Sequence, residues 1–188
     1  EFSLFLNQEY NTDGRLVRSG IFTNRKYKFH NNHFLFTELN YFPSRWDDTN
    51  SAGNGDFKID PRWQLGGFYS TDSAKKISHG FAAFLNQEEI GGQEHVWKYE
   101  ISWRPSDRFS ALLELKYINR TDWLLHQSGR DFTTYEAEFW QPELELDYFL
   151  SAKQQFRITA QWVGIKAFER DRWQVPAGDG ALIPDTTP

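Results

Sequence analysis

A strict alternation of apolar and polar residues runs along most of this chain and constrains its fold more than any other feature. In 97–103, for example, aromatic or aliphatic residues hold every odd position and charged or hydroxyl residues every even one. Successive side chains of a β-strand point to opposite faces, whereas an amphipathic helix repeats every ~3.6 residues. The helical period is almost absent here. The sequence therefore predicts an all-β chain of antiparallel strands in up-and-down order.

The alternating segments divide into nine predicted strands, which we assign to one domain over residues 1–188. They lie near 2–10, 15–29, 33–42, 59–70, 76–87, 95–104, 108–119, 134–150 and 155–168. The connections at 30–32, 71–75, 105–107 and 151–154 are short, and those at 43–58, 88–94, 120–133 and from 169 onward are longer and polar, with 11–14 a brief exception. Because each strand of a meander reverses direction, we expect the short turns at one end of the sheet and the long loops at the other.

Composition places large apolar groups between polar ones instead of in blocks. Aromatic residues make up 18% of the chain, with 8 Trp and 17 Phe, yet the mean hydropathy is -0.70. No run approaches the roughly 20 apolar residues of a transmembrane helix. The chain has no Cys, which excludes disulfides and thiol chemistry, and its net charge of -5 without a basic patch argues against nucleic acid as a partner.

Strand length and aromatic placement favour a membrane over a soluble sandwich, although both produce alternating strands. Several strands alternate for 10 to 17 residues, at or beyond the roughly 9 to 11 that cross a bilayer at a tilt. Aromatic residues stand at the ends of the apolar rows. The clearest rows contain no Lys or Arg, each of which costs about 2 to 4 kcal/mol at the bilayer midplane.

These features predict an antiparallel, up-and-down transmembrane β-barrel, because backbone groups in lipid must all be paired and the sheet has to close. Nine is an odd number of strands, and both ends of the chain look cut. We therefore expect the chain to be a segment of a larger barrel.

The alternation assigns one row of each strand to lipid and the other to a water-filled lumen, although Arg25 breaks the row of 15–29. The predicted lipid-facing residues are Trp97, Tyr99, Ile101, Trp103, Phe109, Leu113, Leu115, Tyr117, Leu144, Leu146, Tyr148, Phe156, Ile158 and Trp162. The predicted lumen-facing residues are Lys98, Glu100, Arg104, Glu114, Lys116, Glu143, Glu145, Asp147 and Arg157. We interpret the lumen charges as a polar network that joins Arg104, Arg157 and Lys116 to carboxylates of neighbouring strands and sets pore selectivity or anchors a plug.

Three segments carry a resemblance to a known family. The runs "ISWRPSDRFSALLELKY", "PELELDYFLSAK" and "QQFRITAQWVGIKAFERDRWQVP" resemble the C-terminal outer-membrane β-barrel domain, of unknown function, of bacterial proteins that carry an N-terminal domain like family-nine carbohydrate-binding modules. The resemblance covers residues 60–188, the second half of that barrel domain. It implies a Gram-negative outer membrane and further strands after a loop like "AGDGALIPDTTP". It implies no established activity, and no functional residue is carried over.

No motif for catalysis, for a cofactor or for a metal stands out. The loop 44–60 is rich in Asp and Asn but lacks the order of a calcium loop, and His79, His95 and His126 have no ligand spacing. The lumen carboxylates are open to interpretation as an acid pair for glycoside hydrolysis, but strand alternation already explains each position. Outside the rows, Trp46, Trp123 and Trp173 are candidates for contact with lipopolysaccharide or an external ligand.

The sequence thus predicts a non-enzymatic protein of the bacterial outer membrane whose partners are lipid and lipopolysaccharide. Its expected role is the passage or binding of a solute, or the anchoring of a periplasmic or surface domain. A glycan-related solute is the first hypothesis, and it depends on the resemblance alone. Two alternatives stay open: a soluble all-β carbohydrate-binding domain and an outer-membrane hydrolase.

Overall fold

The computed structural model describes residues 1–185, which form two antiparallel sheets. The strands are β1 (Phe2–Tyr10), β2 (Leu16–Lys28), β3 (Phe34–Phe42), β4 (Arg45–Asp47), β5 (Phe57–Ile59), β6 (Arg62–Ser70), β7 (Ile77–Gln87), β8 (Gln93–Ser106), β9 (Phe109–Ser128), β10 (Asp131–Ser151), β11 (Gln154–Gln161), β12 (Gly164–Gln174) and β13 (Ile183–Pro184). A search of residues 1–185 finds no helix with the length and apolar character needed to cross a membrane. The all-β antiparallel prediction is confirmed.

Eleven of the strands form one sheet in the order β1, β2, β3, β6, β7, β8, β9, β10, β12, β13, and β11 pairs with β10 beside β12. The segments β11 and β12 follow one another along the same edge of β10, so the sheet is a meander of nine long strands, the last of them interrupted. Pairing of β1 is with β2 only. Within residues 1–185 the sheet is open, and no closed barrel is formed.

Three segments depart from the predicted strand boundaries. The predicted strand 59–70 is divided, because the proline in "DP" at 60–61 has no N–H to continue a ladder, and the part before it pairs with β4. The predicted loop 120–133 is instead strand, with a two-residue turn at 129–130. The alternation did not predict this strand because a bulge interrupts it. Asp122 has φ 52°, and the register between β9 and β10 shifts there, which disrupts the period of two.

The third departure is at the last strand, predicted as 155–168. The structure divides it at 162–163 and extends it to Gln174. The indole of Trp162 folds over Gly164, where a Cβ atom would lie 2.3 Å from the ring. Glycine therefore makes room for the tryptophan on the same face of the sheet.

At one end of the sheet the connections are the turns 29–33, 71–76, 107–108 and 152–153, and at the other end they are 11–15, 43–61, 88–92, 129–130 and 175–182. We call these the short-turn end and the long-loop end. Several segments of the long-loop end pack against one another. The β4–β5 hairpin, the tip of the β9–β10 hairpin and the residues after β12 pack together into a unit that we call the cap.

The cap contains the cluster of buried apolar residues that the described chain forms. Its members are Phe57, Ile59, Phe132, Val175 and Leu182, each at most 8% exposed. The rings of Phe57 and Phe132 meet edge to face with their centroids 5.2 Å apart. Lys58 of β5 also forms a parallel bridge with Ala181. These contacts join segments far apart in sequence, so the cap is a small tertiary core at the end of the sheet.

The cap also shows that the sheet is curled. Arg15, in the β1–β2 turn, pairs with Asp179 beyond β12 at 2.7 Å. Seven strand spacings separate β2 from β12, which in a flat sheet is about 34 Å. Because a salt bridge and a loop folded back on β12 are too short for that distance, the two margins of the sheet approach each other at the long-loop end.

Candidate functional site

The main sheet has an apolar face and an opposite face that is charged on β8 to β11, and both can be followed across the strands by their register. On β3, β6 and β7 the opposite face carries Phe36, Phe68 and Phe84. Directly paired residues in antiparallel strands share a face. Trp97 pairs with Tyr117, and Tyr117 pairs with Trp140. Two residues farther along β8, Tyr99 pairs with Leu115 of β9. The same register continues through β11, where Leu146 pairs with Ile158. We call this side the apolar face, and all 14 predicted lipid-facing residues lie on it.

Aromatic residues of the apolar face form two rows that run across neighbouring strands. The first row, nearer the long-loop end, contains Trp97, Tyr117 and Trp140. The second row, nearer the short-turn end, contains Trp103, Phe109, Tyr148 and Phe156. Rings touch within each row: the centroids of Tyr117 and Trp140 are 4.4 Å apart, and those of Trp103 and Phe109 are 5.6 Å apart. Between the rows lie mainly Leu and Ile, such as Leu113 and Leu144.

The apolar face is exposed along its whole width. Trp97, Trp140 and Trp162 are 47%, 51% and 59% exposed, and on β1, at the opposite margin, Leu6 is 64% exposed. No second layer of chain packs on this face within residues 1–185, since the sheet strands contact their lateral neighbours and β4 only. Largest apolar patches on soluble monomers are about 300 to 600 Å². Exposed large side chains on this face extend from Leu4, Leu39 and Leu65 through Phe81 and Trp97 to Leu144 and Trp162, which indicates an area well above that, on the order of 1,500 Å² or more.

The opposite side, which we call the charged face, carries all nine predicted lumen-facing residues. Lys98 lies directly opposite Lys116, and Glu100 directly opposite Glu114. Like charges in directly opposed positions repel. Lys98 reduces the repulsion by an ion pair with Glu114 on the neighbouring strand at 2.7 Å and by a longer contact with Glu100 on its own strand at 3.9 Å. The charges therefore form ion pairs between strands.

The predicted polar network is present in part and differs in one partner. Arg157 belongs to the predicted network, and it pairs with Asp147 of the neighbouring strand at 2.7 Å. Arg104 instead donates to the hydroxyl of Ser102 at 3.4 Å. Glu114 pairs with Lys98, a cation that the predicted network did not include. Sequence gives the face of each residue but leaves open which of several nearby partners a long side chain reaches.

A groove of about 330 Å³ follows the charged face near the short-turn end. Serine hydroxyls, carboxylates and a guanidinium line it together: Ser73, Ser78, Glu100, Ser102, Arg104, Ser110, Ala111, Leu112, Glu145 and Asp147. Hydroxyl and carboxylate groups at this density can donate and accept hydrogen bonds to a polar solute.

Ion pairs also lie beside the cap, at the long-loop end of the charged face. Arg120 of β9 pairs with Glu88 at 2.7 Å and with Glu94 at 3.1 Å, and Arg62 pairs with Glu89 at 3.4 Å. Arg62, Glu88, Glu89 and Arg120 line a shared pocket of about 290 Å³ with Asn50 of the cap. The cap thus lies over the long-loop end of the charged face.

Burial changes the ionisation of this cluster. Desolvation raises the pKa of Glu88 above the ordinary value, and the hydrogen bond from Arg120 opposes the rise. Desolvation likewise raises the pKa of Glu89, against the attraction of Arg62. The pKa of Arg45 is lowered by desolvation first and by the nearby charge of Arg62 second. The cluster holds charges that are only partly compensated for the loss of water.

The three tryptophans outside the rows are engaged in packing. Trp46 lies beneath the guanidinium of Arg15 at 4.4 Å, and Trp123 beneath that of Arg120 at 4.7 Å. Trp173 packs against the buried cluster of the cap. Their contact with lipopolysaccharide or a ligand stays a prediction, and each ring already has a partner within the chain.

Asp47, in the acidic loop, is held by the loop itself. The carboxylate is buried and accepts hydrogen bonds from the backbone N–H groups of Thr49 and Asn50 at 3.0 and 2.8 Å. The amide of Asn50 donates to its other oxygen at 2.6 Å. In residues 1–185 no three His, Asp or Glu side chains come together as a metal site would require.

Two histidine–tyrosine pairs at the short-turn end were not found from the sequence. His33 Nδ1 lies 2.6 Å from the hydroxyl of Tyr69, and His79 Nδ1 lies 2.8 Å from the hydroxyl of Tyr99. The partners are 36 and 20 residues apart in the chain. The spacing of residues in the local sequence does not indicate such pairs, because only the register of the strands brings the partners together.

Comparisons with known proteins find no relative of this chain. No protein-family model matches the chain, and neither a curated protein nor a solved structure matches it.

Proposed function

We propose that this chain forms part of the wall of a transmembrane β-barrel in a bacterial outer membrane, with the apolar face toward lipid and the charged face toward a hydrated lumen. The observation that carries the proposal is which face is exposed. Large aromatic and aliphatic side chains lie uncovered on one side, while carboxylates on the other side are partly covered, as Glu114 is at 26% exposed and Asp147 at 14%. Lipid is the environment in which the first arrangement is favourable.

The spacing of the aromatic rows fits a bilayer. On β9 the rows are marked by Phe109 and Tyr117, eight residues apart, which is about 27 Å along a strand. With a strand tilt of about 40°, the height between the rows is about 21 Å, and the rings extend beyond it toward an apolar band of about 25 Å. The two rows then lie at the two headgroup levels, where amphipathic rings concentrate.

The charged face supports a role for the interior. Ion pairs such as Lys98–Glu114 are inexpensive when one side of the pair meets water. The groove lined by Glu100, Arg104 and Glu145 offers hydrogen-bonding groups for a polar solute. We propose passage or binding of such a solute, with a glycan-related one first, or the anchoring of a further domain.

The proposed barrel needs additional strands. β1 has one unpaired edge, and β11 pairs with β10 alone. Unpaired backbone groups are not tolerated against lipid, where each costs several kcal/mol. We therefore propose that further strands pair with both edges and complete the wall.

Quenching by brominated lipid tests the membrane assignment. The chain is reconstituted into vesicles of brominated phosphatidylcholine, and the quenched fraction of tryptophan fluorescence is measured for Trp140→Phe and for the control Trp173→Phe. We expect Trp140→Phe to lower the quenched fraction, because Trp140 is on the apolar face. Trp173→Phe should not lower it, because that ring is in the cap.

The alternatives give different outcomes. A chain that stays monomeric in water without detergent and is not quenched by the lipid would establish the soluble glycan-binding alternative. Hydrolysis of lipid or glycan substrates by the reconstituted chain would establish the hydrolase. Passage and anchoring are separated by solute flux into the same vesicles, since only passage predicts swelling in an osmotic gradient.

A further inference from the structure

A polar pocket opens on the apolar face at the short-turn end of the sheet. Its volume is about 490 Å³, and it is lined by Asn31, Asn32, His33, Thr71, Asp72, Lys75, Ile77 and His79. His79 pairs in register with Ile101, and Ile77 with Trp103. Both of these partners belong to the apolar face. The pocket is thus a cluster of polar and basic groups at the margin of a surface that is otherwise hydrophobic.

The two histidines of the pocket are held by tyrosines. A tyrosine hydroxyl lies within hydrogen-bond distance of Nδ1 in each, Tyr69 for His33 and Tyr99 for His79. When the hydroxyl donates to Nδ1, a neutral imidazole carries its proton on Nε2. Each ring then has one N–H that is not used by its tyrosine. Two such donors on one pocket wall suit an acceptor with several oxygen atoms.

The turn between β6 and β7 adds a cation and a hydroxyl. Lys75 and Thr71 both line the pocket, and the lysine is on the exposed tip of the turn. Asp72 also lines it, but its carboxylate accepts hydrogen bonds from the backbone N–H of Ala74 at 3.0 Å and from the amide of Asn32 at 3.4 Å. The acidic group is therefore directed into the structure of the turn. The donors that remain for a ligand favour an oxyanion.

The surface beside the pocket is suited to hydrocarbon chains. Ile77 is 50% exposed and Phe81 is 45% exposed, and both lie on the apolar face next to the pocket. A free phosphate would use the polar groups alone. A phospholipid would use both the polar groups and this neighbouring surface.

We propose that the pocket binds the phosphate of a phospholipid headgroup in the leaflet at the short-turn end, with the acyl chains along the apolar face. Lys75 supplies the charge, His33 and His79 supply directed N–H donors, and the tyrosines hold the rings in place. The inference rests on the proposed membrane location and identifies a specific lipid contact of that wall.

The test titrates the full chain, in detergent and labelled with ¹⁵N-histidine, with monomeric dihexanoyl-phosphatidylglycerol. We expect the ring signals of His33 and His79 to shift together and to saturate. Lys75→Gln should weaken binding about five-fold, the effect of one basic residue near an anionic surface. The control is Lys153→Gln, which removes the same charge from another turn of the same end and should leave the affinity unchanged.

The substitution His33→Gln together with His79→Gln should abolish saturable binding, which is followed by the ³¹P signal of the lipid because this variant lacks both reporter rings. Lys75→Gln guards against a folding defect because its side chain is exposed. An equal loss in Lys75→Gln and Lys153→Gln, or the absence of saturation, would overturn the proposal. Saturation by inorganic phosphate at the same concentration would also overturn it, in favour of a free-anion site. A chain that is quenched by brominated lipid but fails this titration would refute the lipid site while leaving the membrane proposal standing.

Discussion

A lysine in the middle of the apolar face should be far more costly than the same lysine one residue earlier. Leu113 lies midway between the two aromatic rows and is paired with Ile101 and Leu144. Leu112 lies on the charged face and is paired with Ser102 and Glu145. The two positions are adjacent in β9, so Leu113→Lys and Leu112→Lys make the same change in charge and volume on opposite faces.

The expected magnitude follows from depth in the bilayer. A lysine at the midplane of a lipid-facing strand costs about 2 to 4 kcal/mol, a factor of about 30 to 1,000 in the unfolding equilibrium. Leu112→Lys places the ammonium near Glu145, and its apolar stem keeps part of the leucine contacts. We expect the free energy of unfolding of that variant to change by less than about 1 kcal/mol.

Denaturant unfolding of the chain in lipid vesicles, followed by tryptophan fluorescence, measures both values. A third variant tests depth. Asn119→Lys lies on the same strand and face as Leu113, but beyond Tyr117 and its row, and should cost about 0 to 1 kcal/mol. Equal costs for Leu113→Lys and Leu112→Lys, or no decrease toward Asn119, would refute the assignment of this face to lipid.

Three further outcomes test the cap and the interrupted strand. Arg120→Ala should lower the free energy of unfolding by about 1 to 3 kcal/mol in a denaturant titration, because it leaves Glu88 buried without its cation. Since the pKa values of Glu88 and Glu89 are raised above the ordinary 4.5, their contribution to the stability of the long-loop end is full below that pH and is lost as pH rises through the raised values. Hydrogen exchange in the 88–92 connection and the adjacent cap should show this pH dependence, and Glu88→Gln with Glu89→Gln should reduce it. Gly164→Ala should displace the ring of Trp162, which a Cβ atom would meet at 2.3 Å, and shift its fluorescence, whereas Gly178→Ala, with open space around it, should not.

Alternation was sufficient to predict the strands and their faces, because the period of two depends only on local backbone geometry. Trp97 and Lys98 are assigned to opposite faces from sequence alone, and the register places them on opposite faces of the sheet. The same reasoning failed where the backbone departs from the period. At Asp122 one residue with positive φ shifts the pattern, and the alternation beyond it was interpreted as a loop.

The cap and the histidine–tyrosine pairs could not be predicted for a different reason. Phe57 and Phe132 are 75 residues apart in sequence, and neither lies in an alternating row that marks it as buried. Their contact depends on the curl of the whole sheet. The same is true of His79 and Tyr99, which meet only through the pairing of β7 with β8. Features of this kind need the register of several strands at once.

The choice between a membrane wall and a soluble sandwich depends on which face the chain covers with its own segments. A soluble sandwich covers its apolar face, since that burial is its main source of stability. Here the segments that fold back over the sheet bring Arg45 and Asn50 toward the charged face, beside Arg62 and Arg120. Within residues 1–185 the apolar face receives no such cover. This pattern of cover, with loops over charged residues and with Trp97, Trp140 and Trp162 exposed, supports the proposed membrane wall over a soluble sandwich.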